Sequence, residues 1–329
     1  MKKIVIFFFL LIVVGVTALA SCSGRPDQTV TVFMTDGAPA LAVSKLLHDN
    51  YQGSREIIYE IKTVPTALSS GIISNEADIV LMPTNMASTL YNTGGQNVIL
   101  LSTVIQGSLY MVTTDGKTFN DVQQLVGEVV VNIGRGQTPD ILFKYILEQN
   151  DIEYVESEEP VTGKVALTFV DQPPKAIAAL ATGDYKFAIL GEPQVTMSHG
   201  ATGAVVAFDL QELWRQAEDS DTNYPQVSVV ARREFYNNNR TFINNFISQL
   251  QSSAQWTNEN PEAAGLAVQA AGSGLQLAFT ADLIQRCNIE FKSAQQSKQA
   301  VESYLSALHA FNPATIGGSL PDDDFYHND

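Results

Sequence analysis

The stretch Glu128-Val129-Val130-Val131-Asn132-Ile133-Gly134-Arg135-Gly136-Gln137-Thr138-Pro139-Asp140 decides the fold. Glu128 to Ile133 is a short apolar run with the β-branched content of a buried strand. Two glycines then break the chain. Thr138 is placed to cap a helix, and Pro139 fits its first position, where the missing N–H costs nothing. The helix runs to Gln149, with Ile141, Leu142, Tyr145 and Ile146 on one side. Strand, glycine turn and helix in that order are the unit of a mostly parallel sheet covered by helices.

The same unit recurs in both directions. Upstream, Thr29 to Met34 reads as a strand, Pro39 to Asp49 as a helix, Ile57 to Lys62 as a strand and Ala67 to Ser74 as a short helix. Strands follow at Asp78 to Met82, Val98 to Ser102 and Gly107 to Thr113, the last ending at the turn Asp115-Gly116. Downstream, strands are expected at Val165 to Val170, Phe187 to Leu190, Val205 to Phe208 and Val227 to Ala231, with a helix at Pro174 to Thr182. Beyond residue 231 the pattern is helical only. Phe242, Ile243, Phe246, Ile247 and Leu250 mark one face, Pro261 opens another helix, and Ala294 to Phe311 forms a last one. These late helices carry no strands and are expected to pack back on the first lobe. The expected α/β architecture is therefore two lobes: residues 29–113 with 226–329, and residues 114–225. The Asp322 to Asp324 cluster reads as a solvated tail.

The first 28 residues are of a different kind. Lys2 and Lys3 precede an uncharged run from Ile4 to Ala20, the plan of a secretory signal. The run ends in Leu19-Ala20-Ser21-Cys22, which looks like a bacterial lipobox. Residues 1–21 are expected to be removed, Cys22 to be acylated, and 22–28 to act as a tether. An uncleaved transmembrane helix is the competing reading, and the run lies at the short edge of the ~17–25 residues that span a bilayer. Lipid anchoring outside the cytoplasmic membrane follows.

The 329 residues carry a formal net charge of -16. Such a surface repels phosphates, so nucleic acid is not an expected partner. The two cysteines are Cys22 and Cys287; with Cys22 acylated, Cys287 has no partner and reads as a small buried hydrophobe. His48, His199, His309 and His327 show no metal-ligand spacing, His199 reading as a loop residue and His327 as tail. No Gly-x-Ser-x-Gly elbow or nucleophile–base pair is present, so no cofactor, metal or enzymatic activity is expected.

In open α/β sheets, ligands bind beyond the carboxyl ends of the strands. Four turns lie there. Asp36-Gly37-Ala38 opens a helix at Pro39 whose free N–H groups can face a ligand. Thr84 and Asn85 offer uncharged hydrogen-bonding groups in a loop. Gly136, Gln137 and Thr138 permit close approach, and Arg135 adds a cation that Asp140 opposes. Glu192 can accept from an amine or ring N–H. Gln106 is expected beside the hinge. Tyr110 and Phe169 read as core.

The order and spacing of Asp36-Gly37-Ala38-Pro39-Ala40-Leu41-Ala42, Met82-Pro83-Thr84-Asn85, Gly136-Gln137-Thr138-Pro139-Asp140, Glu192-Pro193-Gln194, Asn312-Pro313, Ile316-Gly317-Gly318-Ser319-Leu320-Pro321-Asp322 and Phe325-Tyr326 resembles the substrate-binding lipoproteins of ABC importers, in the nitrate/sulfonate/taurine and thiamine-precursor group. The resemblance covers almost all of the chain after the signal. It implies a type II periplasmic-binding fold whose lobes close on a small molecule and present it to an ABC permease, the binding protein acting as a monomer. Carried over, it points to Asp36, Gly37, Ala38, Thr84, Asn85, Gly136, Gln137, Thr138 and Glu192 as ligand contacts. Two other functions stay open on the same fold: a cytoplasmic-type enzyme of vitamin or quinone synthesis, against which the exported start argues, and a ligand-binding module for a sensor. No cationic cluster for nitrate or sulfonate stands out, and a neutral or zwitterionic heterocycle fits the uncharged turns at least as well.

Overall fold

The computed structural model describes residues 29–328. The expected signal, the tether and the acylated Cys22 lie outside the described residues. The strands are β1 (Thr29–Thr35), β2 (Glu56–Lys62), β3 (Ile79–Pro83), β4 (Val98–Ile105), β5 (Leu109–Thr113), β6 (Val129–Ile133), β7 (Tyr154–Glu156), β8 (Val165–Val170), β9 (Phe187–Gly191), β10 (Val205–Asp209), β11 (Val227–Arg232) and β12 (Ile289–Ser293). They form two six-stranded sheets, ordered β12-β4-β11-β3-β1-β2 and β10-β5-β9-β6-β8-β7. Each is mixed: β1, β2 and β3 run parallel in the first, β6, β7, β8 and β9 in the second, while β11 and β12 oppose β4, and β5 opposes β9 and β10.

The chain passes between the sheets at residues 106–108 and again before β11. The two passages are tied together. Gln226 N–H donates to Ile105 O at 2.8 Å, Ser108 N–H donates to Gln226 Oε1 at 2.7 Å, and Thr84 N–H donates to Gln226 O at 3.0 Å. Gly107 has φ +80°, and a Cβ there would lie 2.6 Å from Gln211 Cγ, so no larger residue fits this crossing. The strand expected from Gly107 therefore begins at Leu109.

Helices cover both faces of both sheets. On the first sheet, Ala38–Ala42, Ser44–His48, Arg240–Glu259, Pro261–Ala270 and Ala281–Arg286 bury one face through Leu41, Leu46, Phe246, Val268 and Ile284. Helices Thr66–Ile73, Thr84–Thr93 and Ala294–Phe311 cover the other. That second face does not stop at the first sheet. One apolar cluster runs from Phe33, Val80 and Leu100 through Tyr304, Leu305 and Leu308 to Met111 and Val130 of the second sheet and to Trp214 and Ile141 on the helices that cover it. Tyr304 lies 5.7 Å from Trp214 and 5.6 Å from Tyr224, ring to ring, and all three are buried. Helices Pro173–Thr182 and Gln194–Thr202 cover the second sheet's remaining face.

Several expectations need correction. The helix read as Pro39 to Asp49 is two helices that break at Val43, because the Arg240–Glu259 helix supplies replacement partners: Thr257 Oγ1 donates to Leu41 O, and Lys45 N–H donates to Ser253 Oγ. The late chain does contain a strand, β12, paired with β4. Thr84 and Asn85 are not loop residues but the first turn of the helix Thr84–Thr93, and His199 lies in the helix Gln194–Thr202. The acidic tail is not simply solvated. Asp322 accepts from Tyr91 Oη, Phe325 and Tyr326 are buried, and His327 is buried with Nδ1 2.9 Å from Tyr236 Oη. Cys287 is buried, and burial pushes its thiol pKa up, as suits an inert core residue. Among the described residues no helix is long and apolar enough to cross a membrane, and no group of three or more His, Cys, Asp or Glu is placed to hold a metal ion.

Candidate functional site

The parallel strands of each sheet end facing the other sheet, and the four sequence-singled turns sit on those ends. They meet in two places. On one side, Thr138 Oγ1 donates to Asn85 Oδ1 at 3.2 Å, joining the first turns of helices Thr138–Gln149 and Thr84–Thr93. Thr138 was expected as the cap of its helix; it is instead the first helical residue, and its hydroxyl crosses between the sheets. On the other side, Gly37 packs on the Glu192-Pro193 turn, a Cβ at Gly37 lying 3.3 Å from Pro193 Cδ and 3.8 Å from Glu192 O. Its φ of +95° is a conformation that glycine adopts freely.

Glu192 makes the strongest link. Its side chain has no solvent exposure, and Arg286, at the end of the helix Ala281–Arg286, donates from Nε to Glu192 Oε1 at 2.5 Å. Thr196 supports the pair: its N–H donates to Glu192 Oε2, its hydroxyl donates to Glu192 Oε1, and it accepts from Arg286 Nη2 at 3.0 Å. Tyr110 Oη donates to Arg286 O at 2.9 Å, which fixes the segment that carries the guanidinium. Arg286 was not among the sequence candidates. Nothing local marks it, because its partner is 94 residues away.

Other candidates are spent within the protein. Asp36 accepts from Gly37 N–H, Ser273 Oγ and Gly274 N–H, so it fastens the 273–274 turn to the first strand end. Thr84 Oγ1 is 2.8 Å from Ser228 Oγ of β11. Gly136 N–H donates to Asp140 Oδ2 at 2.7 Å, so this helix start already has a carboxylate of the protein in it. Gln137 is exposed and folds over Gly134. Ala38 is buried in the first core. Gln106 is buried at the crossing, where its amide donates to Thr103 Oγ1 and Glu290 O.

The cations near the strand ends are also paired. Arg135 turns outward to Glu156 at 3.0 Å and lies over the Phe169 ring, and Lys144 holds Asp140 at 3.0 Å. Lys62 pairs with Glu60 at 2.6 Å. With Arg286 committed to Glu192, the junction presents amide, hydroxyl and backbone groups rather than a cationic nest. Such a lining recognises an uncharged or zwitterionic molecule better than a strong anion.

A model of the NMT1-like family matches residues 31–272. Among solved structures, the chain is similar to an ABC transporter protein from Parabacteroides distasonis, with 23% identity, TM-score 0.78 and coverage of 92% of this chain and 99% of that one. It is also similar to the periplasmic aliphatic sulphonate binding protein SsuA from Escherichia coli, at 13% identity and TM-score 0.65, covering 91% and 96%. The periplasmic nitrate-binding protein NrtA from Synechocystis PCC 6803 has 14% identity and TM-score 0.60, with coverage of 88% and 84%. No curated protein sequence matches. The shared architecture is the two-lobed α/β fold of periplasmic binding proteins.

Proposed function

Because the chain belongs to the NMT1-like family and shares the two-lobed fold of periplasmic binding proteins, we propose that it is an extracytoplasmic solute-binding lipoprotein, acylated at Cys22, that captures a small molecule between its lobes and delivers it to an ABC permease. The observation that carries this reading is the meeting of four strand-end turns from two sheets, Asn85 with Thr138 and Gly37 with Glu192-Pro193.

The mechanism is a shift of populations. Contacts that a ligand makes to both lobes favour the bridged form over one in which the lobes stand apart, and the permease reads the difference. The polypeptide supplies part of that bridge itself through Arg286 and Glu192, so the ligand needs to add only the remainder. Asn85 and Thr138 are the contacts we assign to the first and second lobes, with Gln137 at the rim. The ligand class is a neutral or zwitterionic heterocycle. Native mass spectrometry of the freshly purified protein tests this, followed by calorimetry with whatever small molecule is released. Asn85→Ala and Gln137→Ala should each weaken binding; unchanged affinity in both would remove the crevice from consideration.

A further inference from the structure

A hollow of about 410 Å3 lies behind the crossing between the lobes, on the side of the edge strand β12. Its lining includes Gln106, Asn223, Asn258, Gln285, Asn288 and Glu290. A second hollow of about 470 Å3 shares Asn223 and Glu290 with it and extends to Trp214 and Lys292. Carboxamides dominate the first, and three of them are fixed in orientation. Gln106 Nε2 donates to Glu290 O, Asn258 Nδ2 to Ala254 O and Ile289 O, and Asn288 Nδ2 to Gly107 O. A backbone carbonyl only accepts, so each amide must point its NH2 group inward. Among the described residues no donor is bonded to the three amide oxygens. With the Glu290 carboxylate, whose Oε2 also lies 3.3 Å from Lys292 Nζ, they give the hollow a lining rich in acceptors in a protein whose net charge is -16.

We propose that this hollow is a second ligand site, for a small organic ammonium ion, and that its occupant favours the bridged arrangement of the lobes through Arg286. Fixed amide oxygens and one carboxylate complement N–H donors that carry positive charge. The volume suits a molecule rather than a bare ion. The link to the crevice is short. Ile284, Gln285, Asn288 and Ile289 line the hollow, and Arg286, from the same turn of chain, reaches Glu192 on the other side. An occupant that steadies residues 284–289 steadies the bridge. The site itself does not depend on the function proposed above; its coupling to lobe closure does.

Calorimetry on the purified full chain at fixed ionic strength tests the site, with 1,4-diaminobutane as probe and butane-1,4-diol as its uncharged counterpart. The diamine is expected to bind saturably and the diol not to bind. Glu290→Gln should weaken the diamine about two- to fivefold, the range for one partly exposed charge pair. Gln285→Lys, which places a competing ammonium in the hollow, should abolish binding. Both positions are exposed, and a matching urea midpoint confirms that the variants fold. No saturable binding to the wild type, equal binding of the diol, or undiminished binding to Gln285→Lys would overturn the site. Small-angle scattering tests the coupling: saturating diamine should reduce the radius of gyration of the wild type and not that of Arg286→Ala. Binding without any change in the wild type would overturn the coupling and leave the site standing.

Discussion

Replacing Arg286 by alanine should push the lobes apart. The Glu192 side chain has no solvent exposure, whereas Arg286 keeps about a third of its own, at 33%. Removing one partner of a fully buried pair costs about 3–5 kcal/mol, and an exposed pair is worth about 1 kcal/mol or less. Here the carboxylate keeps two donors from Thr196, and water reaches one side of the guanidinium. A loss of about 2 kcal/mol from the bridged form is the reasonable middle. When the lobes stand apart both groups are hydrated, so the loss falls on the bridged form alone. At 1.4 kcal/mol per decade the ratio of bridged to separated molecules should drop about 30-fold. Apparent ligand affinity should fall in proportion to the bridged fraction. The assay is energy transfer between dyes placed on the outer surfaces of the two sheets, without ligand, for wild type, Arg286→Ala, Glu192→Gln and the double variant. The double variant should resemble either single one, since both remove the same interaction. Unchanged dye separation in Arg286→Ala, or effects of the two substitutions that add independently within about 0.3–0.5 kcal/mol, would refute a bridge between lobes.

Other outcomes follow from single contacts. Gly37→Ala places a Cβ 3.3 Å from Pro193 at φ +95° and should destabilise the protein by about 1–3 kcal/mol, read as a lower urea midpoint. Thr138→Val removes the hydroxyl bonded to Asn85 and should cost about 1 kcal/mol of lobe association, seen with the same dyes. Burial raises the pKa of the Asp209 carboxyl above its usual value of 3.8, against the pull of the Gln211 and Glu212 N–H groups that it caps. A raised carboxyl binds its proton more tightly when folded, so its contribution to stability is present below pH 3.8 and lost as pH rises through the folded value. Asp209→Asn should therefore gain stability relative to wild type as pH rises above 3.8, and a relative loss in urea titrations would contradict this. Cys22→Ser should release the protein from the membrane fraction of cells.

What could be read in advance, and what could not, divides by range along the chain. Runs such as Val129-Val130-Val131 and Ile79-Val80-Leu81 announce strands because β-branched and aliphatic side chains need a covered sheet, and glycine or proline marks where each run must turn. The turns that meet between the two sheets were visible for the same reason. The short strand Ile289–Ser293 was missed because only Ile289 and Phe291 alternate, too few for the period to register beside long helices. The uses of side chains were the least legible. Thr84 looks like a ligand contact until Ser228, 144 residues later, is seen to take its hydroxyl, and Asp36 looks free until Ser273 and Gly274 arrive from across the fold. Hydrogen-bonding capacity is a local property; its satisfaction is not.

The aromatic stack of Trp214, Tyr224 and Tyr304 has a consequence for how this molecule can be divided. It lies beside the crossing, in the apolar cluster that the two sheets share. Either half produced alone would carry a raw, oily seam where its counterpart had been, and would aggregate or melt rather than stand as an independent module. Gene fusions, split reporters and permuted termini should leave residues 210–226 and 294–311 on one uninterrupted polypeptide.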